Sequence, residues 1–260
     1  MLIDLHVYTR ATGGPSLKDA VAQAREAGLD AIAVVDRRSS REVATLVAAG
    51  ETDGFPVFVG VEIPTEVGDV LVFVPEIEPF MTREEWRQLD VVQPPTFSDV
   101  REMVEREGGV LLMAHPYDRR RERAPRDRVF ALERVAALEI WTSGADRASN
   151  AAAYEAVTAA RVPGFAGSAA AGRKPAPSQW ATLLRAPVAT HAELVAALRA
   201  GDLWPVEFAT GEPGSERQGG GGGRREDRGP REDRGRREDR GPREDRGRRD
   251  DRRGGRSSRG

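Results

Sequence analysis

Residues 1–37, MLIDLHVYTRATGGPSLKDAVAQAREAGLDAIAVVDR, decide the fold class. Residues 2–6 read as a short strand, and the apolar run at 29–35 reads as a strand that is covered on both faces. Between them, a capping-box pattern at Ser16 begins a predicted helix, which Gly28 ends. This order of strand, helix and strand predicts a βα unit with parallel strands.

The same alternation continues along the chain. Further strands are predicted at 57–63, 70–74, 110–114, 137–141 and 164–167, and helices around 41–49, 98–107, 149–160 and 192–200. Parallel βα units build either a barrel or an open doubly wound sheet, and a chain of this length suits one such domain. We therefore expect a single α/β domain over residues 1–208.

The C-terminal residues have a different composition. Residues 214–260 contain no Ala, Val, Leu, Ile, Met, Cys or aromatic residue, and their 17 Arg and 11 Asp or Glu give them a charge of +6. The whole chain carries −2, so residues 1–213 carry −8. A Gly-rich linker at 209–223 precedes a tail at 224–260 that repeats R-E-D-R-G-P and R-E-D-R-G-R. This composition predicts a disordered tail that either solubilises the protein or contacts RNA or acidic partners weakly.

Several classes of protein are excluded by what the sequence lacks. There is no Cys, which excludes disulfides, thiolate metal sites and a cysteine nucleophile, and three His remain for metal or acid–base chemistry. No apolar run approaches the roughly 18 residues of a membrane span, and the N-terminus does not have the pattern of a secretory signal. We therefore expect a soluble, cytoplasmic protein without a membrane partner.

Four polar residues lie at or just past the carboxyl end of a predicted strand: His6, Asp36, Glu62 and His115. In a parallel α/β fold these strand ends share the face where functional sites lie. Glu62 interrupts an apolar strand, so its carboxylate needs a cation or several donors. Asp36 could instead start a turn, and His115 could be a structural histidine. His191 follows the candidate N-cap Thr190, and we interpret it as structural.

Five segments carry a family resemblance when they are taken in order: Asp4-Leu5-His6-Val7-Tyr8-Thr9, Ala31-Ile32-Ala33-Val34-Val35-Asp36-Arg37, Gly60-Val61-Glu62-Ile63, Ala114-His115-Pro116-Tyr117 and Gly167-Ser168-Ala169-Ala170-Ala171. They resemble the successive motifs of the PHP (polymerase and histidinol phosphatase) superfamily, in its small phosphoesterase and 5′-3′ exonuclease-like branch. The resemblance implies a distorted (β/α)7 TIM-like barrel. It also implies up to three divalent metals at the strand ends, where a metal-bound hydroxide attacks a phosphate ester.

This sequence departs from the family's metal-binding motifs. Four residues match or could substitute for the family's ligands: His6, Glu62, His115 and Asp69. Tyr8 and Arg37 stand where the family has metal-binding His, and the last motif has lost an Asp and a His. The resemblance therefore implies either one divalent metal, Mn or Zn, or none. Glu62 and Asp36 are the candidate catalytic carboxylates.

Basic residues near these motifs suggest a use for the site. Arg37, Arg173 and Lys174 are candidate phosphate-binding residues, because a guanidinium can bind phosphate without a metal. Arg37 could also simply point into solvent. Residues 118–128 hold six Arg in eleven residues, which predicts a loop that either steers anions towards the site or is merely solvated.

Three functions are compatible with these patterns. The first is a PHP-type protein with an eroded metal site and weak or no catalysis, which still binds a phosphate-bearing small molecule or nucleic acid. The second is an active one-metal phosphoesterase or 5′-3′ exonuclease-like hydrolase. The third is an RNA-associated protein that acts through its Arg-rich tail.

Overall fold

The computed structural model describes residues 1–37, 41–77, 95–169 and 179–208. The strands in these ranges are β1 (Leu2–Val7), β2 (Ala31–Val34), β3 (Val57–Val59), β4 (Val61–Thr65), β5 (Gly68–Phe73), β6 (Val110–Met113), β7 (Val135–Thr142), β8 (Gly164–Gly167), β9 (Trp180–Leu184) and β10 (Leu203–Glu207). The α-helices are α1 (Leu17–Glu26), α2 (Arg41–Ala48), α3 (Phe97–Arg106), α4 (Arg147–Ala160) and α5 (His191–Ala200). None of the helices in the described ranges is long and apolar enough to cross a bilayer.

The strands form two sheets, with the orders β10-β9-β1-β2-β3 and β4-β5-β6-β7-β8. The β1-β2-β3 and β6-β7-β8 sets are parallel, as predicted. In contrast, β4, β5 and β6 pair antiparallel, as do β1, β9 and β10. The prediction of an α/β fold is confirmed in this mixed form. The described strands make two unclosed sheets, so they do not show the closed (β/α)7 barrel that the resemblance implied.

The two sheets lie next to each other where β8 approaches β1. The backbone N–H of Ala169 donates to the carbonyl oxygen of His6 at 2.7 Å, and that of Ser168 donates to Oδ1 of Asp4 at 3.0 Å. A Cβ at Gly167 would lie only 2.5 Å from the Cβ of His6. A residue with a side chain at this position would push the two strands apart, so glycine sets their close approach.

Both predicted N-caps are found, although Ser16 forms a simple cap rather than the predicted capping box. The Ser16 hydroxyl accepts from the backbone N–H of Asp19 at 3.1 Å, and this cap begins α1. Thr190 and Glu193 form a reciprocal capping box at the start of α5. These caps satisfy backbone donors that would otherwise have no partner within the helix. They fix the helices that pack against the strands carrying the site.

An irregularity in β1 sets the orientation of the site residue His6. The register between β1 and β2 shifts between Asp4 and Val7, and the backbone N–H of His6 turns to Oδ1 of Asp4 at 3.0 Å instead of continuing the ladder. Bulges of this kind redirect a side chain and are frequent next to functional sites. The shift brings the His6 ring within reach of Glu139, 133 positions along the chain.

Candidate functional site

Three of the predicted ligands come together at the ends of different strands. His6 lies on β1, Glu62 on β4 and His115 just after β6. All three are buried, and each offers one ligand atom within 4.8 Å of the other two. The convergence predicted for these residues is therefore found in the structure.

A fourth buried residue, Glu139 on β7, holds the two histidines. Its Oε1 lies 2.9 Å from Nδ1 of His6, and its Oε2 accepts from the backbone N–H of His115 at 2.8 Å. Glu139 was not among the predicted site residues. The signal was present, because Glu139 is a lone acid within an apolar strand, as Glu62 is.

Tyr8 fills the space between His6 and Glu62. Its hydroxyl donates to Oε2 of Glu62 at 2.9 Å, and its oxygen lies 2.9 Å from Nε2 of His6. The phenol has one hydrogen, so Nε2 of His6 must donate to it, while Nδ1 faces a carboxylate that can only accept. This arrangement assigns both protons to His6, which makes the ring a cation.

The pKa values of these groups agree with that assignment. Burial lowers the pKa of His6, but the charge and hydrogen bond of Glu139, together with the charge of Glu62, raise it above its ordinary value. Burial and the neighbouring Glu62 charge raise the pKa of Tyr8 well above its usual range. These directions favour a neutral phenol at Tyr8 and the protonated form of His6.

Arg37 supplies a second cation. Its Nε donates to Oε2 of Glu62 at 2.9 Å, and its terminal nitrogen donates to Oε1 of Glu62 at 3.3 Å and to Oδ2 of Asp69 at 2.6 Å. Burial alone would raise the pKa of Glu62, but the adjacent His115, His6 and Arg37 hold it below its ordinary value. Arg37 is thus bound to two carboxylates rather than simply pointing into solvent.

Asp69 joins this network to the arginine-rich loop. Arg121 donates to Oδ2 of Asp69 at 2.6 Å, so a single oxygen accepts from two guanidinium groups. The buried Asp118 holds the loop by binding Arg120 at 3.0 Å and lying 3.5 Å from Arg121. The loop therefore contacts the site through Arg121, whereas neighbouring Arg120 is 63 % exposed.

Asp36, a predicted catalytic carboxylate, has a different surrounding. It is fully buried, its Oδ1 accepts from the backbone N–H of Thr9 at 2.7 Å, and its Oδ2 accepts from the Thr9 hydroxyl. It is not among the three ligand residues that come together. In the structure both of its carboxylate oxygens serve to anchor the turn that follows β1.

Other predicted elements lie at a distance from the site or outside the described residues. His191 accepts from the backbone N–H of Val59 at 2.8 Å and packs edge-on against Phe58, in agreement with a structural role. Arg173, Lys174, the linker at 209–223 and the tail at 224–260 lie outside the described residues. Phosphate binding by the first two, and RNA contact by the tail, stay predictions.

The fit of this group to a metal ion can be judged from its hydrogen bonds. Both nitrogens of His6 and both oxygens of Glu62 have partners, in Glu139, Tyr8 and Arg37. Nε2 of His115 is buried, and no described group forms a hydrogen bond with it. His6, Glu62 and His115 could hold a metal by their spacing. To do so, the first two must give up partners that already satisfy them.

Comparison with known proteins identifies the fold. No family model and no curated protein matches the chain. Among solved structures, a two-domain Bacteroides vulgatus protein containing a predicted PHP-like metal-dependent phosphoesterase is 13 % identical, with a TM-score of 0.59; the match covers 80 % of this chain and 64 % of that one. The chain thus spans less than two thirds of that protein.

Two further structures give similar results. A candidate metal-dependent phosphoesterase from Bifidobacterium adolescentis is 16 % identical over 75 % of this chain and 96 % of that one, with a TM-score of 0.51. An amidohydrolase from Chromobacterium violaceum, solved with bound sulfate and no metal, is 13 % identical over 66 % and 88 %, with a TM-score of 0.52.

These likenesses define a class of fold. The chain has the fold of PHP-like metal-dependent phosphoesterases, and the resemblance carried by its five motifs is confirmed at the level of the fold.

Proposed function

We propose that this chain is a PHP-type protein whose eroded metal site catalyses weakly or not at all and still binds a phosphate-bearing ligand. The observation that carries this function is the position of Arg37, whose guanidinium binds Glu62 and Asp69. These are two of the four residues that the resemblance assigned to metal binding. The distorted (β/α)7 barrel and the cytoplasmic location stay predictions.

The carboxylates near the candidate metal ligands already have cationic partners without a metal. Three carboxylates, Glu62, Asp69 and Glu139, face three cations, His6, Arg37 and Arg121. A divalent ion would add two positive charges, so its binding requires loss of one His6 proton or departure of Arg37. In a metal-dependent phosphoesterase the bound cation lowers the pKa of the attacking water to about 7. A guanidinium supports binding of a phosphate but supplies no such nucleophile.

Two observations support a phosphate-bearing ligand. The side chains of Arg37 and Arg121 are 39 % and 32 % exposed, so a ligand can reach them from solvent. Guanidinium groups form short, charge-assisted bonds with phosphate oxygens. The Chromobacterium violaceum relative, which has a similar fold, holds a sulfate without a metal. An anion-binding role for this chain is consistent with that likeness.

The test combines metal analysis, turnover and binding on the full chain. We expect purified protein to hold well under one equivalent of Mn or Zn and to hydrolyse p-nitrophenyl phosphate and bis(p-nitrophenyl) phosphate hardly at all with added Mn²⁺. Inorganic phosphate should bind in the presence of a chelator. Arg37→Ala should weaken that binding about tenfold or more, the equivalent of one charge-assisted hydrogen bond.

Arg185→Ala provides a matched control, because Arg185 forms a surface ion pair with Asp202 at 3.3 Å. It should leave phosphate binding within about twofold of the wild type, since exposed pairs contribute little. Equal phosphate affinity in Arg37→Ala and the wild type would overturn the proposed binding function.

A one-metal phosphoesterase or exonuclease-like hydrolase is the second candidate. It is favoured by the 4.8 Å grouping of His6, Glu62 and His115 and by the buried Nε2 of His115, which forms no hydrogen bond with any described residue. These residues, with Asp69, would hold the ion. About one equivalent of metal, together with turnover that Glu62→Gln abolishes, would establish this candidate and exclude the first.

A further inference from the structure

Building on the proposed function, we infer that Asp69 acts as an internal competitor for the phosphate group of the ligand. Its carboxylate occupies a cleft formed by Arg37, Arg121 and His115, and the ligand's terminal phosphate takes that place. The cleft thereby selects a phosphate monoester, and Arg121 is a second binding residue beside Arg37.

The convergence of donors on one oxygen defines the cleft. The terminal nitrogens of Arg37 and Arg121 each lie 2.6 Å from Oδ2 of Asp69, and they come from segments 84 positions apart in the sequence. Each guanidinium has five N–H donors. In bonds to the described residues, Arg37 uses three of its donors on Glu62 and Asp69, and Arg121 uses one on Asp69. The remaining donors are available to a group that has more oxygens than a carboxylate.

His115 adds a third nitrogen near the same place. Its Nε2 is buried, lies 3.8 Å from Oδ2 of Asp69 and 3.4 Å from Oε1 of Glu62, and forms no hydrogen bond with any described residue. Both neighbouring oxygens are carboxylates that can only accept, which favours the tautomer with the proton on Nε2. An unsatisfied buried donor is costly, and an oxygen placed near Asp69 Oδ2 would satisfy it.

The number of donors indicates the class of ligand. A phosphate monoester has three terminal oxygens and up to two negative charges, so it can accept from Arg37, Arg121 and His115 at once. A phosphodiester has two such oxygens and one charge. The site already accommodates an anion at this point, because Asp69 is there, and a monoester exchanges one negative group for a more highly charged one.

The acidic neighbours set the cost of binding. Glu62 is bound by Arg37 and Tyr8, and Asp118 is bound by Arg120, so both carboxylates keep partners when Asp69 is displaced. Among the acids that the structure describes, Asp69 is the one whose oxygen accepts from both guanidinium groups. Removing its charge should therefore help an incoming anion.

The test measures the affinity of full-length variants for inorganic phosphate and phenyl phosphate by calorimetry in metal-free buffer with a chelator. We expect Asp69→Asn to tighten phosphate binding about threefold to tenfold, since it removes the competing charge and keeps the shape. Arg121→Ala should weaken it about tenfold, and Arg121→Lys by less. Arg123→Ala, at an exposed arginine of the same loop, is the matched control and should match the wild type. Diphenyl phosphate should bind more weakly than phenyl phosphate.

The direction of the Asp69→Asn effect separates the explanations. A metal site would lose a ligand, so Asp69→Asn would weaken Mn²⁺-dependent binding rather than tighten metal-free binding. Phosphate affinity that depends on Arg37 but does not change in Asp69→Asn and Arg121→Ala would overturn this inference and leave the proposed function standing. Absence of phosphate binding in wild type and in all variants would overturn both. Thermal unfolding of each variant confirms that it is folded.

Discussion

Asp36, just past β2, and Glu62, near the start of β4, are both buried acids, yet they have opposite surroundings. Asp36 is held by the backbone and hydroxyl of a single residue, Thr9, whereas Glu62 is held by Arg37, Tyr8 and the nearby His115. Neutral local donors make the first an anchor of the chain. Charged groups from several distant segments make the second the centre of a site.

The largest expected effect comes from removing the charge at the centre of the site. Glu62→Leu leaves the Arg37 guanidinium and the His6 cation with one carboxylate fewer. Losing one member of a fully buried ion pair costs about 3–5 kcal/mol, and we expect a value towards the lower end because the Arg37 side chain is 39 % exposed. Urea unfolding of the full chain measures it. Asp202→Asn, which breaks the exposed pair with Arg185, should cost at most about 1 kcal/mol. Equal losses in the two variants would show that Glu62 is not central to stability.

Replacing Tyr8 and Arg37 by histidine should turn the surroundings of Glu62 into a metal site. In the double variant Tyr8→His with Arg37→His, two imidazole ligands replace the phenol and the guanidinium that donate hydrogen bonds to Glu62. Zn²⁺ affinity should rise by more than about 100-fold, since even outer partners of a metal site change affinity by about 10–100-fold. Calorimetry with Zn²⁺ measures it. Tyr8→Phe with Arg37→Ala removes the same groups without adding ligands and should show a much smaller gain.

Asp36 and Glu62 show which features of the site can be predicted from the sequence. Both stand out in the sequence as single acids that interrupt apolar runs. Asp36 lies just past β2, as predicted, whereas Glu62 lies near the start of β4 because the predicted strand at 57–63 divides at Gly60. Their roles differ because Thr9 donates hydrogen bonds to Asp36, whereas Arg37 donates to Glu62. The sequence does not predict these partners, because the backbone conformation of the turns decides where each donor points. The resemblance identified Tyr8 and Arg37 as replacements for ligands, but only the folded chain shows that they bind Glu62.

Other differences between the predicted and the observed structure also have local causes. The antiparallel pairs of β4 with β5 and of β9 with β10 were not predicted, because their short apolar runs lack a signal for direction. The predicted strand at 57–63 divides at Gly60, where the carbonyl oxygen of Val72 would lie 2.6 Å from a Cβ. Glu139 was missed because it was read as part of an apolar strand.

A smaller loss of stability is expected when the anchor formed by Asp36 and Thr9 is weakened. Thr9→Val removes the hydroxyl bond to Oδ2 of Asp36 and keeps the backbone bond to Oδ1. Leaving a buried carboxylate oxygen unsatisfied should cost about 1–3 kcal/mol in urea unfolding, with phosphate binding unchanged. Thr158→Val, which removes an exposed hydroxyl bonded to the Tyr154 carbonyl, should have little effect on stability. Loss of phosphate binding in Thr9→Val would place Asp36 in the site after all.

The smallest effect concerns the histidine outside the site. Burial lowers the pKa of His191 below its ordinary value, and its Nε2 accepts from Val59, which requires the neutral ring. The unfolded state therefore binds this proton more readily, so the contribution of His191 to stability is present above about pH 6.5 and is lost as the pH falls through the lower folded-state pKa.

The measurement compares wild type with His191→Gln in urea at about pH 7.5 and about pH 5.5. Wild type should lose more stability on acidification than His191→Gln, by at most about 1 kcal/mol. The comparison between proteins is needed because His6 has a raised pKa and shifts stability in the opposite direction. An identical loss in both proteins would remove His191 as the cause.

Two adjacent residues have different roles: Asp36 anchors the backbone, whereas the side chain of Arg37 contributes only to the site. The Asp36 carboxylate fastens this stretch to Thr9, and the backbone N–H of Arg37 is fastened separately to the Thr12 hydroxyl at 2.8 Å. The side chain of Arg37 has no part in either attachment. A substitution at position 37 can therefore change the charge of this corner while both attachments of the backbone stay in place.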